Sequence, residues 1–177
     1  MAASNELGRV HVITGPGKGK TTAAFGLALR AAGHGLRVCI VQFMKSDEVT
    51  GELLAARKLP GIEVSQFGTG RFIGPGGPTE EDRARARDGL VFVEGVLKAR
   101  GCDLLVLDEV NTAVHFGLLT TDQVLAVLGS RGEGVEVVLT GRDAPAEFVR
   151  HADYVSDVGS VKHPYEKGTK ARKGIEW

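Results

Sequence analysis

A chain of 177 residues is long enough for one globular unit with a substantial core and short for two. Its 22 basic and 22 acidic residues cancel, which argues against nucleic acid or an anionic membrane as a partner gathered by global charge. No apolar run approaches the ~20 residues of a membrane span, and neither Cys39 nor Cys102 belongs to a Cys-x-x-Cys pair, so reduced, packed thiols in a cytoplasmic protein are expected.

In chain order, residues 1–8 read as a polar, flexible tail and residues 9–177 as a single domain. The stretch "RVHVIT" predicts a first strand that runs into "GPGKGKTT", Gly15 to Thr22. Gly15, Gly17 and Gly19 let backbone N–H groups turn inward, and a helix beginning near Thr21 aims its positive end at the same place. A polyphosphate is the natural occupant of such a loop. Lys20 would neutralise phosphate charge, Thr21 would offer a hydroxyl to Mg2+, and Lys18 adds a second cation, with Pro16 and Thr22 completing the nucleotide-binding stretch. The loop is one residue short of the usual pattern, because Gly15 and Gly19 enclose only Pro16, Gly17 and Lys18.

Further strands are predicted at "LRVCIVQF" and "IEVSQF". The second leads into the glycine- and proline-rich "FGTGRFIGPGGPTEED", a loop of the kind that carries function. Thr79 then places a capping hydroxyl before Glu80, Glu81 and Asp82, starting a helix that runs toward Arg100 and buries Leu90, Val93 and Leu97. In "DLLVLDE", Asp108 and Glu109 stand at the C-terminal end of an apolar strand. Carboxylates there are costly without a partner, and a hydrated Mg2+ would supply one, directly or through water. In a hydrolase, Glu109 would instead activate water as a general base.

Leu119-Thr120-Thr121-Asp122-Gln123-Val124 carries a capping box, Thr120 with Gln123, and a hydrophobic staple, Leu119 with Val124. After the strand "VEVVLTG", Arg142 either reaches a phosphate or a partner carboxylate from the sheet's C-terminal edge or lies on the surface near a helix start. A sixth strand is read at "ADYVSDV". The closing "KHPYEKGTKARKGIEW" is basic and glycine-punctuated, and by itself reads as a solvated tail. The five histidines show no metal-ligand spacing, and only His163 lies in that closing segment. Strands alternating with helical stretches predict an α/β fold with a mostly parallel central sheet and helices on both faces.

Taken together, "TGPGKGKTTAAFGLALRAAGHG", "VQFMK", Gly51-Glu52, "LDEVN", "LTGR" and "KHPYEKGTKARKGIEW" resemble the P-loop ATP:corrinoid (cob(I)alamin) adenosyltransferases. The short loop is part of that family pattern, and generic P-loop proteins lack the closing segment. The resemblance implies a RecA-like P-loop fold and a homodimer. It implies a reaction in which reduced corrinoid, as Co(I), attacks the 5′ carbon of ATP and expels triphosphate, with ATP reversed in the site relative to other P-loop proteins. By the same resemblance, Gly15 to Thr22 and Arg142 bind ATP. Lys20 and Glu109 are the catalytic residues, with Thr21 and Glu109 as Mg2+ ligands and Asp108 as a supporting acid. Phe72 would face the corrinoid, although Ile73 stands where relatives carry a tryptophan, and a flavoprotein reductase would supply the electrons. Residues 1–8 are too short for the N-terminal helix that closes the site in some relatives. Two other readings remain at this level. A small ATPase or nucleoside kinase would release ADP, and a nucleotide-dependent switch would bind partners without turnover.

Overall fold

The computed structural model describes residues 7–46, 50–164 and 168–176. Its elements are β1 (Val10–Thr14), α1 (Lys20–Gly33), β2 (Val38–Phe43), α2 (Gly51–Ala56), β3 (Ile62–Phe67) and α3 (Glu80–Lys98). There follow β4 (Leu104–Asp108), α4 (Val110–His115), α5 (Thr121–Gly129), β5 (Glu136–Thr140), α6 (Ala146–His151) and β6 (Tyr154–Asp157). All the strand pairings are parallel and give the order β3-β2-β4-β5-β1-β6. Of the tail expected over residues 1–8, residues 1–6 lie outside the described residues, and Gly8 N–H donates to Glu136 at 2.8 Å.

The strands are buried because both faces of the sheet are covered. Alternate residues of each strand point to opposite sides. Val12, Cys39, Val41, Leu105, Leu107, Val137 and Leu139 pack with α3, α4, α5 and Phe148 of α6. Val38, Ile40, Leu104, Val106 and Val138 pack with α1 and α2. Helix α1 lays Ala24, Ala28 and Ala31 on that second face, at spacings of one and two turns. Each large aliphatic side chain so buried contributes roughly 1.5–3 kcal/mol. The phosphate loop is thereby held at the end of a rigid strand.

The capping boxes form as the residues suggest. Thr120 and Gln123 exchange side-chain and backbone bonds at the start of α5. Thr79 does the same with Asp82, which completes a full box at α3 where only a capping hydroxyl was expected. Helix α3 stops at Lys98, two residues short of the expected Arg100, which has left-handed backbone with φ of 51°. The helices α2, α4 and α6 have six residues each and no side-chain cap. They are too short to show helical periodicity in the sequence. Both cysteines are buried and free. Among the described residues no helix is long and apolar enough to cross a membrane.

Candidate active site

At the C-terminal edge of the sheet, the turn after β1 is shaped by what packs against it. Gly15 has φ of 97°, and a side chain there would strike Asp157 and Val158. Gly17 is hemmed in by the backbone of Val158 and Gly159, and its N–H donates to Val158 O at 2.6 Å. The glycines are therefore required for close approach by the chain leaving β6, and the Gly17 amide, expected to turn inward toward a phosphate, is instead taken by Val158 O because that chain packs against the loop. Gly19, with φ of 118°, is the N-cap of α1.

Lys20 is buried and donates to Gly15 O and Gly17 O, both at 2.7 Å, so its ammonium is fixed across the loop. Burial holds its pKa below the ordinary lysine range, opposed by the charge of Glu109. Thr21 Oγ1 donates to Asp108 Oδ1 at 2.9 Å. Asp108 is fully buried and accepts three further donors: Thr140 Oγ1 at 2.7 Å, Gln42 Nε2 at 2.9 Å and Lys45 Nζ at 3.2 Å. Side chains from α1, β2, β5 and the loop after β2 thus converge on one carboxylate, which is compensated by Lys45 and three neutral donors.

Gln42 and Lys45 stand in "VQFMK" and Thr140 in "LTGR", but nothing within those stretches points to Asp108. Their partner lies 66, 63 and 32 residues away in the chain, respectively, and only the sheet order brings them together. The faint signal was position, since each ends or follows a buried strand at the edge where α/β proteins place ligands. Close packing sets Lys45 in place. Met44 has left-handed backbone with φ of 63°, and a side chain on Gly68 would collide with Met44 and Lys45.

Glu109 also has left-handed backbone, with φ of 63°, at the junction of β4 and α4. Its N–H donates to Thr140 Oγ1 at 3.0 Å, and its carboxylate accepts from Thr112 Oγ1 at 2.6 Å. Thr112 Oγ1 in turn accepts from the N–H of Arg142 at 3.0 Å. Gly141 permits this, because a side chain there would strike Thr112. Asn111 Nδ2 bonds Gly141 O at 3.2 Å, while its buried Oδ1 has no partner among the described residues. Left-handed non-glycine residues thus follow β2, β4 and β5, at Met44, Glu109 and Asp143. Each costs on the order of 1–2 kcal/mol, a strain that clusters at functional edges.

These residues open on one cleft of about 720 Å³. Gly17, Lys18, Gly19, Lys20, Thr21, Thr22, Glu109 and Arg142 line it, together with Lys45, Glu52, Phe116 and His163. Gly15 and Pro16 lie outside the lining, and Asp108 is buried behind Thr21. Phe72 lines the same cleft with 93% of its surface exposed. The loop bearing it is anchored at its base, where Thr69 Oγ1 donates to Asp82 at 2.6 Å and Arg71 pairs with Glu81 at 3.4 Å. Ile73, its neighbour, packs against the core.

The closing segment is no solvated tail where it is described: Ile175 and Glu176 line the cleft and accept hydrogen bonds from Lys18. Tyr165, Glu166, Lys167 and Trp177 of that segment lie outside the described residues. A larger hollow, about 880 Å³, is lined by Gly8, Arg100, Arg131 and Glu133. It lies at the strand N-termini and contains none of the motif residues, so the chemistry belongs to the smaller cleft.

Comparison with known proteins agrees with this geometry. Residues 6–177 match the family described as ATP:corrinoid adenosyltransferase BtuR/CobO/CobP. A corrinoid adenosyltransferase of Pseudomonas aeruginosa is 39% identical over 176 residues, covering 99% of this chain and 86% of that protein. One from Escherichia coli is 37% identical over 177 residues, covering 99% and 88%. Among solved structures, a KaiC-like protein of Pyrococcus horikoshii is similar in fold, with a TM-score of 0.52 at 20% identity, covering 94% of this chain and 74% of that one.

Proposed function

The chain belongs to the ATP:corrinoid adenosyltransferase BtuR/CobO/CobP family and transfers the adenosyl group of ATP to a corrinoid, and from that premise we propose that residues 15–22 and Arg142 hold the triphosphate as the leaving group. The 5′ carbon then faces Co(I) of the reduced corrinoid, the C5′–O bond breaks, and triphosphate departs. The observation that carries this reading is the shared cleft, lined by the buried Lys20 ammonium, by Thr21 with Asp108 behind it, and by the exposed aromatic ring of Phe72.

Co(I) brings its own electron pair, so the protein's part is alignment and charge stabilisation. The two thiols suit that division of labour. Burial pushes Cys39 up to about 12 and Cys102 up to about 11, which leaves neither poised as a nucleophile. Lys20 neutralises charge on the departing triphosphate. Phe72 lies against the corrinoid, where an apolar ring excludes water from the reacting face.

Magnesium suits the donor set, since the Thr21 hydroxyl and the Glu109 carboxylate are hard oxygen ligands. Thr21 donates its hydroxyl hydrogen bond to Asp108, which leaves the hydroxyl's lone pairs for the cation. Among the described residues no group of three or more His, Cys, Asp or Glu could hold a metal alone, so ATP oxygens and waters would complete the shell. When bound, Mg2+ offsets charge on the leaving triphosphate.

We take residues 9–177 as one catalytic unit that acts in the cytoplasm as a homodimer, with a flavoprotein reductase supplying Co(I). Anaerobic incubation with MgATP and chemically reduced cob(I)alamin tests the central step. One triphosphate released per Co–C bond formed is expected. Diphosphate plus phosphate, or ADP, as the primary product would remove the loop-held leaving group.

A further inference from the structure

The C-terminal turn has a structure of its own that the reaction described above leaves unused. Ile175 and Glu176 both donate backbone N–H to Arg172 O, at 3.2 and 2.9 Å, which closes a single turn. The Glu176 carboxylate then folds back to accept from Arg172 N at 2.8 Å, Nε at 3.2 Å and Nη2 at 3.0 Å. Its remaining donor comes from the phosphate loop: Lys18 Nζ reaches Glu176 Oε1 at 3.1 Å and Ile175 O at 3.0 Å.

We propose that Glu176 is a positioning residue for adenosyl transfer, holding the Lys18 ammonium beside the phosphate loop so that its remaining N–H binds the triphosphate of ATP. The proposal rests on the reading that this loop holds the triphosphate.

Three physical points carry it. An ammonium has three donors, and the turn takes two of Lys18's, which leaves one for the cleft that Lys18, Ile175 and Glu176 all line. A free lysine gives up rotamer entropy when a ligand immobilises it, and a lysine already held avoids that cost at binding. The carboxylate also does not cancel the field. Lys18 and Arg172 against Glu176 leave one net positive charge at the mouth of the loop. Arg172 first, and Lys18 after it, hold the Glu176 carboxyl down at about 2, so the carboxylate stays charged near neutral pH.

The opposite arrangement, a carboxylate competing with triphosphate for Lys18, predicts the opposite sign, and kinetics on the full chain separates the two. Glu176→Gln, Arg172→Gln, Lys18→Met and the double variant Lys18→Met/Glu176→Gln are assayed anaerobically with MgATP and cob(I)alamin, with added magnesium triphosphate as inhibitor. Glu176→Gln should raise the KM for ATP and the triphosphate Ki together by about five- to tenfold, with kcat at saturating ATP within about twofold. Arg172→Gln, which loosens the turn without touching Lys18, should shift both in the same direction. The double variant should be no worse than Lys18→Met alone, because the two residues act through one contact. An unchanged or lowered KM in Glu176→Gln, or effects that add in the double variant, overturns the proposal. If triphosphate fails to compete with ATP in the unaltered protein, the loop reading itself falls instead.

Discussion

Asp103, just before β4, and Asp108, its last residue, sit at opposite edges of the same sheet. Asp103 is paired with Arg37, whose N–H, Nε and Nη2 all donate to it, and its neighbours at that edge behave alike. Glu136 accepts from the N–H groups of Gly8 and Arg9, and Asp153 from that of Val10. These carboxylates satisfy backbone donors where the strands begin. Among the described residues Asp108 accepts no backbone donor, and its four partners there are the side chains of Thr21, Gln42, Lys45 and Thr140. A backbone donor has nowhere else to go, whereas a hydroxyl or ammonium can present its remaining lone pairs or protons to a ligand. The strand entries are built to close the structure, and the strand exits to receive a substrate.

Three substitutions at the exit edge test that contrast. Lys20→Ala should have the largest effect, lowering kcat/KM for ATP by roughly 10²–10³-fold, the usual loss when a donor to developing negative charge is removed. Formation of the Co–C bond, followed by absorbance, measures it, and near-normal turnover would detach the loop from the chemistry. Glu109→Gln should be milder. Because it weakens a proposed Mg2+ ligand, the metal concentration for half-maximal rate should rise about tenfold, with activity recovering at high magnesium. Phe72→Ala should hardly move stability, since the ring is 93% exposed. It should cost about tenfold when the assay starts from Co(II) and much less when it starts from Co(I). Equal losses in both assays would deny Phe72 a role in preparing the corrinoid.

The two edges were not equally legible in the sequence. Loop, helix start and acidic strand end at the exit edge are contiguous, and contiguous chemistry leaves a motif, as "GPGKGKTT" and "LDEVN" do. Strands and long helices announced themselves through apolar runs and capping residues, Thr120 with Gln123 most clearly. What stayed hidden is whatever depends on strand order. Lys45 and Gln42 meet Asp108 only because β2 lies beside β4, and Thr140 only because β5 lies on the other side. The turn at Ile175 and Glu176 was hidden for the same reason, since a basic, glycine-rich stretch looks solvated until the fold brings it against Lys18. At the entry edge the pairs span 66 residues for Arg37 with Asp103 and 128 for Gly8 with Glu136, and no local pattern marks them.

The smallest effect belongs to the entry edge, and it should be one of stability alone. Asp103→Asn keeps an acceptor for the Arg37 N–H but removes the charge that faces the guanidinium at 2.8 Å. The hydrogen bond from Arg37 holds the Asp103 carboxyl below the ordinary aspartate range, against the opposing pull of burial. A depressed folded-state pKa adds stability above the unfolded value and gives it up as pH falls through the folded one. The side chain is 29% exposed, so solvent screening limits the contribution to about 1 kcal/mol, or ~2–4 °C in Tm for a chain of this length. The gap between the native protein and Asp103→Asn should therefore be full near neutral pH and shrink once pH drops below the ordinary carboxylate range. Thermal unfolding across that range measures it, and kcat should not change. A gap that persisted in acid would assign the stabilisation to hydrogen-bond geometry instead of charge. A fall in kcat would mean that the entry edge reaches the chemistry through β4, and the division between the two edges would fail.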